Sequence, residues 1–193
     1  MRGGSGARKV PRPGFEPGTP SLEARHDVRF TTGAEERKAR DLNPHGLAAA
    51  RFSKPAGKRL FDCVQATWNL LEPSAGPALE EAKAAGLGVI VKEALANGRL
   101  TARNNDPAFA VRRRRLEGEA ARFGVSLDAL ALAAVLARPW VDVVLSGAAA
   151  VDQLRSNLAA LAVPWDQRVS EMAENLTESP EDYWHTRARL PWN

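Results

Sequence analysis

The sequence predicts an α/β fold of parallel strand–helix units, on three observations. Residues 62–70 alternate apolar and polar side chains. Two short valine-rich runs stand at 88–91 and 141–145. Helical stripes with start and stop signals separate and follow these segments. In 62–70, Val64, Ala66, Trp68 and Leu70 share one face and Cys63, Gln65, Thr67 and Asn69 the other, a strand with a polar row. Pro77 suits a first helical turn, Ala78, Leu79, Ala82 and Ala85 form a stripe, and Gly86 ends the helix. Gly88-Val89-Ile90-Val91 then reads as a fully buried strand. Asp106-Pro107 starts a helix that runs towards Phe123-Gly124. Ser126 caps the next helix, with Leu127, Leu130, Ala131, Ala134 and Val135 on one face, and Arg138-Pro139 stops it. The third strand, 141–145, leads through Ser146-Gly147-Ala148 into a helix predicted to bury Val151, Leu154, Leu158 and Leu161. The order β-α-β-α-α-β-α is that of parallel units joined by crossovers. Three such units close neither a barrel nor a doubly wound sheet.

Composition narrows the function classes. One cysteine excludes a disulfide framework and a cysteine-based zinc cluster. No stretch approaches the ~20 apolar residues of a membrane helix, and residues 1–6 lack the apolar core of a signal peptide. A cytoplasmic protein with no membrane partner is the expectation. Charge divides the chain: residues 1–60 carry 13 Lys and Arg against 6 Asp and Glu, whereas 61–193 carry 14 against 17. The basicity therefore belongs to the Gly/Pro-rich start, and no nucleic-acid partner is expected of the part that can fold. Pro11, Pro13, Pro17 and Pro20 remove backbone donors from a stretch without periodicity, so residues 1–59 read as a disordered basic extension. Within it, Gly14-Phe15-Glu16-Pro17-Gly18 and Asp41-Leu42-Asn43-Pro44-His45-Gly46 resemble translations of a transfer-RNA T-arm, which implies a segment never selected as protein.

Three ordered motifs in 60–193 carry a family resemblance. They are Phe61-Asp62-Cys63-Val64-Gln65-Ala66-Thr67-Trp68-Asn69-Leu70-Leu71, then Gly88-Val89-Ile90-Val91-Lys92-Glu93-Ala94-Leu95-Ala96-Asn97-Gly98-Arg99-Leu100, and Val144-Leu145-Ser146-Gly147-Ala148 with Gln153, Leu154 and Asn157. In this set the chain resembles the aldo/keto reductase superfamily. The resemblance implies a partial (β/α)8 TIM barrel, its last three βα units, and an NADP or NAD cofactor. Gln65 would then bond the nicotinamide carboxamide, since a side-chain amide offers donor and acceptor together. Leu95, in the loop after the second strand, fits the family pattern and would contact the cofactor, whereas Lys92 stands in place of a stacking aromatic. Ser146, Gly147 and Ala148 would let the backbone approach a phosphate at a helix N-terminus. Gln153 and Asn157, four residues apart, would reach the adenosine end.

The resemblance also defines what is missing. Carbonyl reduction in the superfamily needs an Asp, a Tyr proton donor, a Lys and a His from the first half of the barrel. The only tyrosine here is Tyr183, near the C-terminus. A fragment that retains part of a cofactor site and is catalytically inactive alone is the expectation. Two alternatives stand beside it: a half-barrel completed by a partner chain or by self-association, and a nucleic-acid binder acting through the basic start. Arg112-Arg113-Arg114-Arg115 points in every direction around a helix and reads as a solvated face.

Overall fold

The computed structural model describes residues 61–190 together with a strand at 29–31. Strands β2 (Cys63–Thr67) and β3 (Gly88–Lys92) pair in parallel, with Val64 opposite Val89 and Ala66 opposite Val91. β4 (Val143–Val144) joins β3 on its far side, also in parallel. Three parallel strands with intervening helices are the predicted architecture, although the third spans two residues rather than five. On the outer edge of β2 lies β1 (Arg29–Thr31), antiparallel, with Phe30 opposite Val64. It falls within the segment expected to be a disordered extension. Arg-Phe-Thr has the branched and aromatic character of a strand, and it satisfies an edge of β2 that would otherwise be unpaired. The rest of 1–59 lies outside the described residues, as do 191–193.

One face of the sheet is covered. Val64, Ala66, Val89 and Val91 pack against Leu79 and Ala82 of α1 (Gly76–Ala84) and against Ala129, Leu132 and Ala133 of α3 (Leu127–Leu136). α2 (Ala110–Arg122) follows a short turn at Pro107–Phe109, started as predicted by Asp106, whose Oδ1 accepts from Ala108 N at 2.9 Å. Ser126 caps α3 by accepting from Ala129 N. α3 departs from the single apolar face expected of it. Leu127 and residues 129–135 are all buried, because the helix lies between the sheet core and a second core. That second core contains Leu71, Leu100, Phe109, Leu116, Leu130 and Tyr183. Two helices not anticipated from the pattern complete it: α5 (Gln167–Glu174) and α6 (Pro180–Arg189), which contribute Val169 and Tyr183.

The helix after β4, α4 (Val151–Leu158), overturns an expectation. Val151, Leu154, Leu158 and Leu161 are 65%, 47%, 55% and 72% exposed instead of buried. The inward side of α4 is polar: Asn157 is buried, and Ser156 Oγ donates to Asp128 Oδ2 of α3 at 2.9 Å. At 100° per residue the apolar stripe lies about half a turn from Ser156, on the far side of the helix from that contact. It therefore points past the edge of the sheet. Among the described residues no strand beyond β4 is there to receive it.

Carboxylates tie the elements together. Asp142, just before β4, pairs with Lys83 of α1 and accepts from Val89 N at 2.8 Å. Asp166 caps α5 at Val169 N and pairs with Arg122 at 2.9 Å. The Lys83 bond and the Val89 amide hold Asp142 below its ordinary value, and the Val169 amide with Arg122 does the same for Asp166. Burial alone would raise Glu119, but bonds from Arg168 and Arg122 outweigh it and the net shift is downward. Groups lowered on folding stabilise the protein above their unfolded pKa of ~4 and lose that effect as pH falls through their folded values. Urea midpoints should therefore hold from pH 7 to about 5 and decline below about pH 4. The Asp142→Asn variant should show a shallower acid decline.

Candidate functional site

Because β2, β3 and β4 run parallel, their carboxyl ends lie side by side, which is where α/β proteins place ligands. Gln65 and Thr67 lie on the sheet face opposite the helices, Gln65 opposite Ile90 and Thr67 opposite Lys92. Gln65 is half-buried. Thr67 is buried, and its Oγ1 has no hydrogen-bond partner among the described residues. A buried hydroxyl without a partner is costly, so this atom marks the one polar vacancy on the face that carries Gln65.

The turn from β4 into α4 holds three of the predicted residues, and α4 holds two more. Gly147 adopts φ +67°, a left-handed conformation that glycine enters without a Cβ penalty. A Cβ placed there would meet no atom within 4 Å, so backbone geometry and not crowding calls for glycine. Ser146 and Ala148 flank it, half-buried. α4 then starts at Ala150 without a side-chain cap. Gln153 reaches back, its Oε1 accepting from Ala149 N at 2.8 Å. Asn157 lies beneath the turn. With its amide turned to satisfy both ends, it donates to Asp128 Oδ2 at 3.1 Å and Gln153 O at 3.2 Å. Asn157 thus ties α4 to α3, and Gln153 is the more accessible of the pair.

Sequence reasoning gave Gln65 and the 146–157 unit to the two ends of one extended cofactor, and in the structure they lie at separate points of the sheet. Gln65 is two strands from β4, about 10 Å at ordinary strand spacing, and Ser146 lies about another 10 Å along the strand direction. Leu95 belongs to neither group. It is half-buried, packs against both cores, and its carbonyl accepts from Gly98 N and Leu100 N.

A polar hub that the sequence reading missed organises the loops instead. Asn69 is fully buried just past β2. Its Oδ1 accepts from Leu71 N (3.0 Å) and Glu72 N (3.1 Å), and its Nδ2 donates to Glu93 O (3.0 Å) and Tyr183 Oη (2.9 Å). Arg187, one turn after Tyr183 on α6, pairs with Glu93 at 2.9 Å. Glu93, Ala96 and Asn97 all have positive φ, so the loop after β3 stores strain that these bonds hold in place. Arg99 binds Glu178 through two bonds of 2.6 and 2.9 Å, and Arg112 adds a third at 2.8 Å. Arg113 donates to Asn104 O, so two of the four consecutive arginines fasten loops while Arg114 and Arg115 remain solvated. The turn formed by Asn69 could have been suspected from Asn-Leu-Leu-Glu-Pro, a side-chain acceptor two residues before a free amide. Its bonds to Glu93 and Tyr183 had no local signal.

Burial, and secondarily the Glu93 carboxylate, push the Tyr183 hydroxyl well above its ordinary value. Among the described residues there is no cluster of three or more metal-ligating side chains, and no helix long and apolar enough to cross a membrane.

Parallel βα units with loops gathered at the carboxyl ends of the strands define an α/β protein with its candidate site at that end. The chain belongs to the aldo/keto reductase family, whose model matches residues 48–178. The match begins a dozen residues before the boundary read at 60. No curated protein matches the chain. Similar solved structures include a thermostable aldo-keto reductase in complex with the inhibitor epalrestat, 22% identical with a TM-score of 0.48, over 58% of this chain and 38% of that one. Another is an aldo-keto reductase from Bacillus halodurans in its holo form, 23% identical with a TM-score of 0.48, over 60% of this chain and 42% of that one. The chain thus spans about two fifths of the length of these structures.

Proposed function

We propose that residues 61–190 are the last three βα units of an aldo/keto reductase barrel and bind the phosphate-bearing half of NADP or NAD. The observation that carries this reading is the turn at Ser146, Gly147 and Ala148. A left-handed glycine with open space beside it leads into a helix whose first turn has no side-chain cap. Amide groups and a helix dipole directed at one point favour an anion. Gln153 holds the turn through Ala149 N, and Asn157 fastens the helix behind it to Asp128 of α3. Asp152 in the first turn opposes an anion, but its charge is offset by Arg155 at 3.8 Å. Gln65 and the unpartnered Thr67 hydroxyl would face the nicotinamide. When bound, that cofactor supplies a hydride. Without an Asp, Tyr, Lys and His set, this chain has nothing to deliver the accompanying proton.

Calorimetric titration with the two halves of the cofactor separates the two ends of the site. The 2′,5′-diphosphate of adenosine should bind and nicotinamide mononucleotide should not. Gly147→Val, which strains a left-handed position and fills the open space, should weaken adenosine diphosphate binding at least tenfold, about 1.4 kcal/mol or more. Gln65→Ala should leave it unchanged. Equal binding by wild type and Gly147→Val, with both folded by circular dichroism, would remove the turn from the site.

A further inference from the structure

We infer that Asn97 is a site of spontaneous deamidation, and that α6 sets the rate by holding the loop after β3 closed. Asparagine is among the thermolabile residues, and Asn97-Gly98 is the one Asn-Gly pair in the sequence. Asn97 is exposed, and its Nδ2 donates to Glu93 Oε2 at 3.3 Å. A Cβ built on Gly98 would meet no atom within 4 Å, so the space around its amide is open. β3 is the central one of the three parallel strands and has a neighbour on each side. The exposure of its loop is therefore not that of a sheet edge.

Glycine has no side chain to shield its backbone nitrogen. When Gly98 N attacks Asn97 Cγ, an N–Cγ bond forms, the Cγ–Nδ2 bond breaks, and the Gly98 amide proton leaves with Nδ2 as ammonia. Water then opens the five-membered imide. Cleavage at Cγ gives aspartate, and cleavage at the main-chain carbonyl gives isoaspartate, with the backbone rerouted through the side chain. No electrons are exchanged, and water is the one co-reactant. The closed loop holds this attack off. Asn97 has φ 52° and ψ 41°, and Gly98 N is engaged by Leu95 O at 3.0 Å. The reaction therefore proceeds from a locally opened loop. Opening releases the positive φ of Glu93 and Ala96, which favours it. Arg187 opposes it, because bonds of 2.9 to 3.2 Å fix Glu93, at the start of the loop, to α6. Conversion then works against reclosure, since a carboxylate at 97 puts a like charge beside Glu93 where a donor had been.

Incubation of the full chain in warm neutral buffer, followed by trypsin digestion and mass spectrometry, tests this. Cleavage after Lys92 and Arg99 isolates residues 93–99, in which Asn97 is the one side-chain amide. Two products, heavier by the difference between water and ammonia, should accumulate in this peptide, more slowly than in a synthetic peptide of the same residues. Arg187→Ala should raise the rate about fivefold, the effect of one ion pair on local opening. Asn104 and Asn105 should keep their rates in that variant, which separates local opening from unfolding. Arg187→Lys keeps the charge but not the fork of bonds and should fall between the two; it carries the test if Arg187→Ala does not fold by circular dichroism. An intact Asn97 in the folded chain, after the free peptide has fully converted, overturns the proposal. So does faster conversion at Asn104 or Asn105 than at Asn97. Equal rates in the wild type and the folded Arg187 variants would remove α6 as the gate and equally overturn it.

Discussion

Asn69→Leu is expected to destabilise the protein by about 4 kcal/mol, measured as a shift in urea midpoint at constant m value. Leucine shares the branching of asparagine and is larger, so the loss is polar and not a cavity. Glu72 N keeps a bond to the Asn69 carbonyl at 3.2 Å. Leu71 N, Glu93 O and Tyr183 Oη each lose a side-chain partner. An orphaned buried polar group costs about 1–3 kcal/mol. Glu93 O keeps the bond from Ala96 N at 2.8 Å, so two groups are orphaned, and together they take a large share of the ~5–15 kcal/mol available to a domain. Tyr183→Phe removes one acceptor and should cost about 1 kcal/mol. If Asn69→Leu proves no worse than Tyr183→Phe, the hub is not what holds the loops.

The second large effect is on chemistry. With NADPH and an aldehyde or ketone, the full chain should consume cofactor at the rate measured without protein. A positioned general acid contributes about 10²–10⁴-fold, and the only tyrosine is not expected to act as one. Tyr183 is 1% exposed, accepts a bond from Asn69 and has its hydroxyl pushed above the ordinary range. Steady turnover that co-purifies with the chain and disappears in Tyr183→Phe would show that this side chain reaches substrate.

Where the sequence could be read, it was because the signal was local. Alternation across Val64, Gln65 and Ala66 marked a strand with two different faces, and Asp106 and Ser126 announced their helices by caps that the structure contains. Gly147 likewise needs only its own backbone angle to be recognised. The failures share the opposite character. The stripe of α4 has a period that predicts burial, yet burial requires a neighbour, and no periodicity states whether one is present. α3, with Asp128 its single charged residue, was assigned one face because pattern cannot count how many layers a helix touches. Asn69, Glu93 and Arg187 come from three distant parts of the chain and converge only in the fold.

That convergence has a consequence for synthesis. The Asn69–Tyr183 bond spans 114 positions and the Glu93–Arg187 pair spans 94. At ~5–20 residues per second, a ribosome needs roughly 6 to 23 s to go from one end of the longer link to the other. Throughout that interval β2, β3 and the strained loop after Lys92 have emerged without the helix that pins them. The sheet can pair as it appears, but the loops at its carboxyl end wait for Tyr183 and Arg187. A message that stops before codon 183 would leave Asn69 and Glu93 without those partners. The nascent chain is thus exposed longest at its candidate binding end, which is where a chaperone would have the most time to engage it.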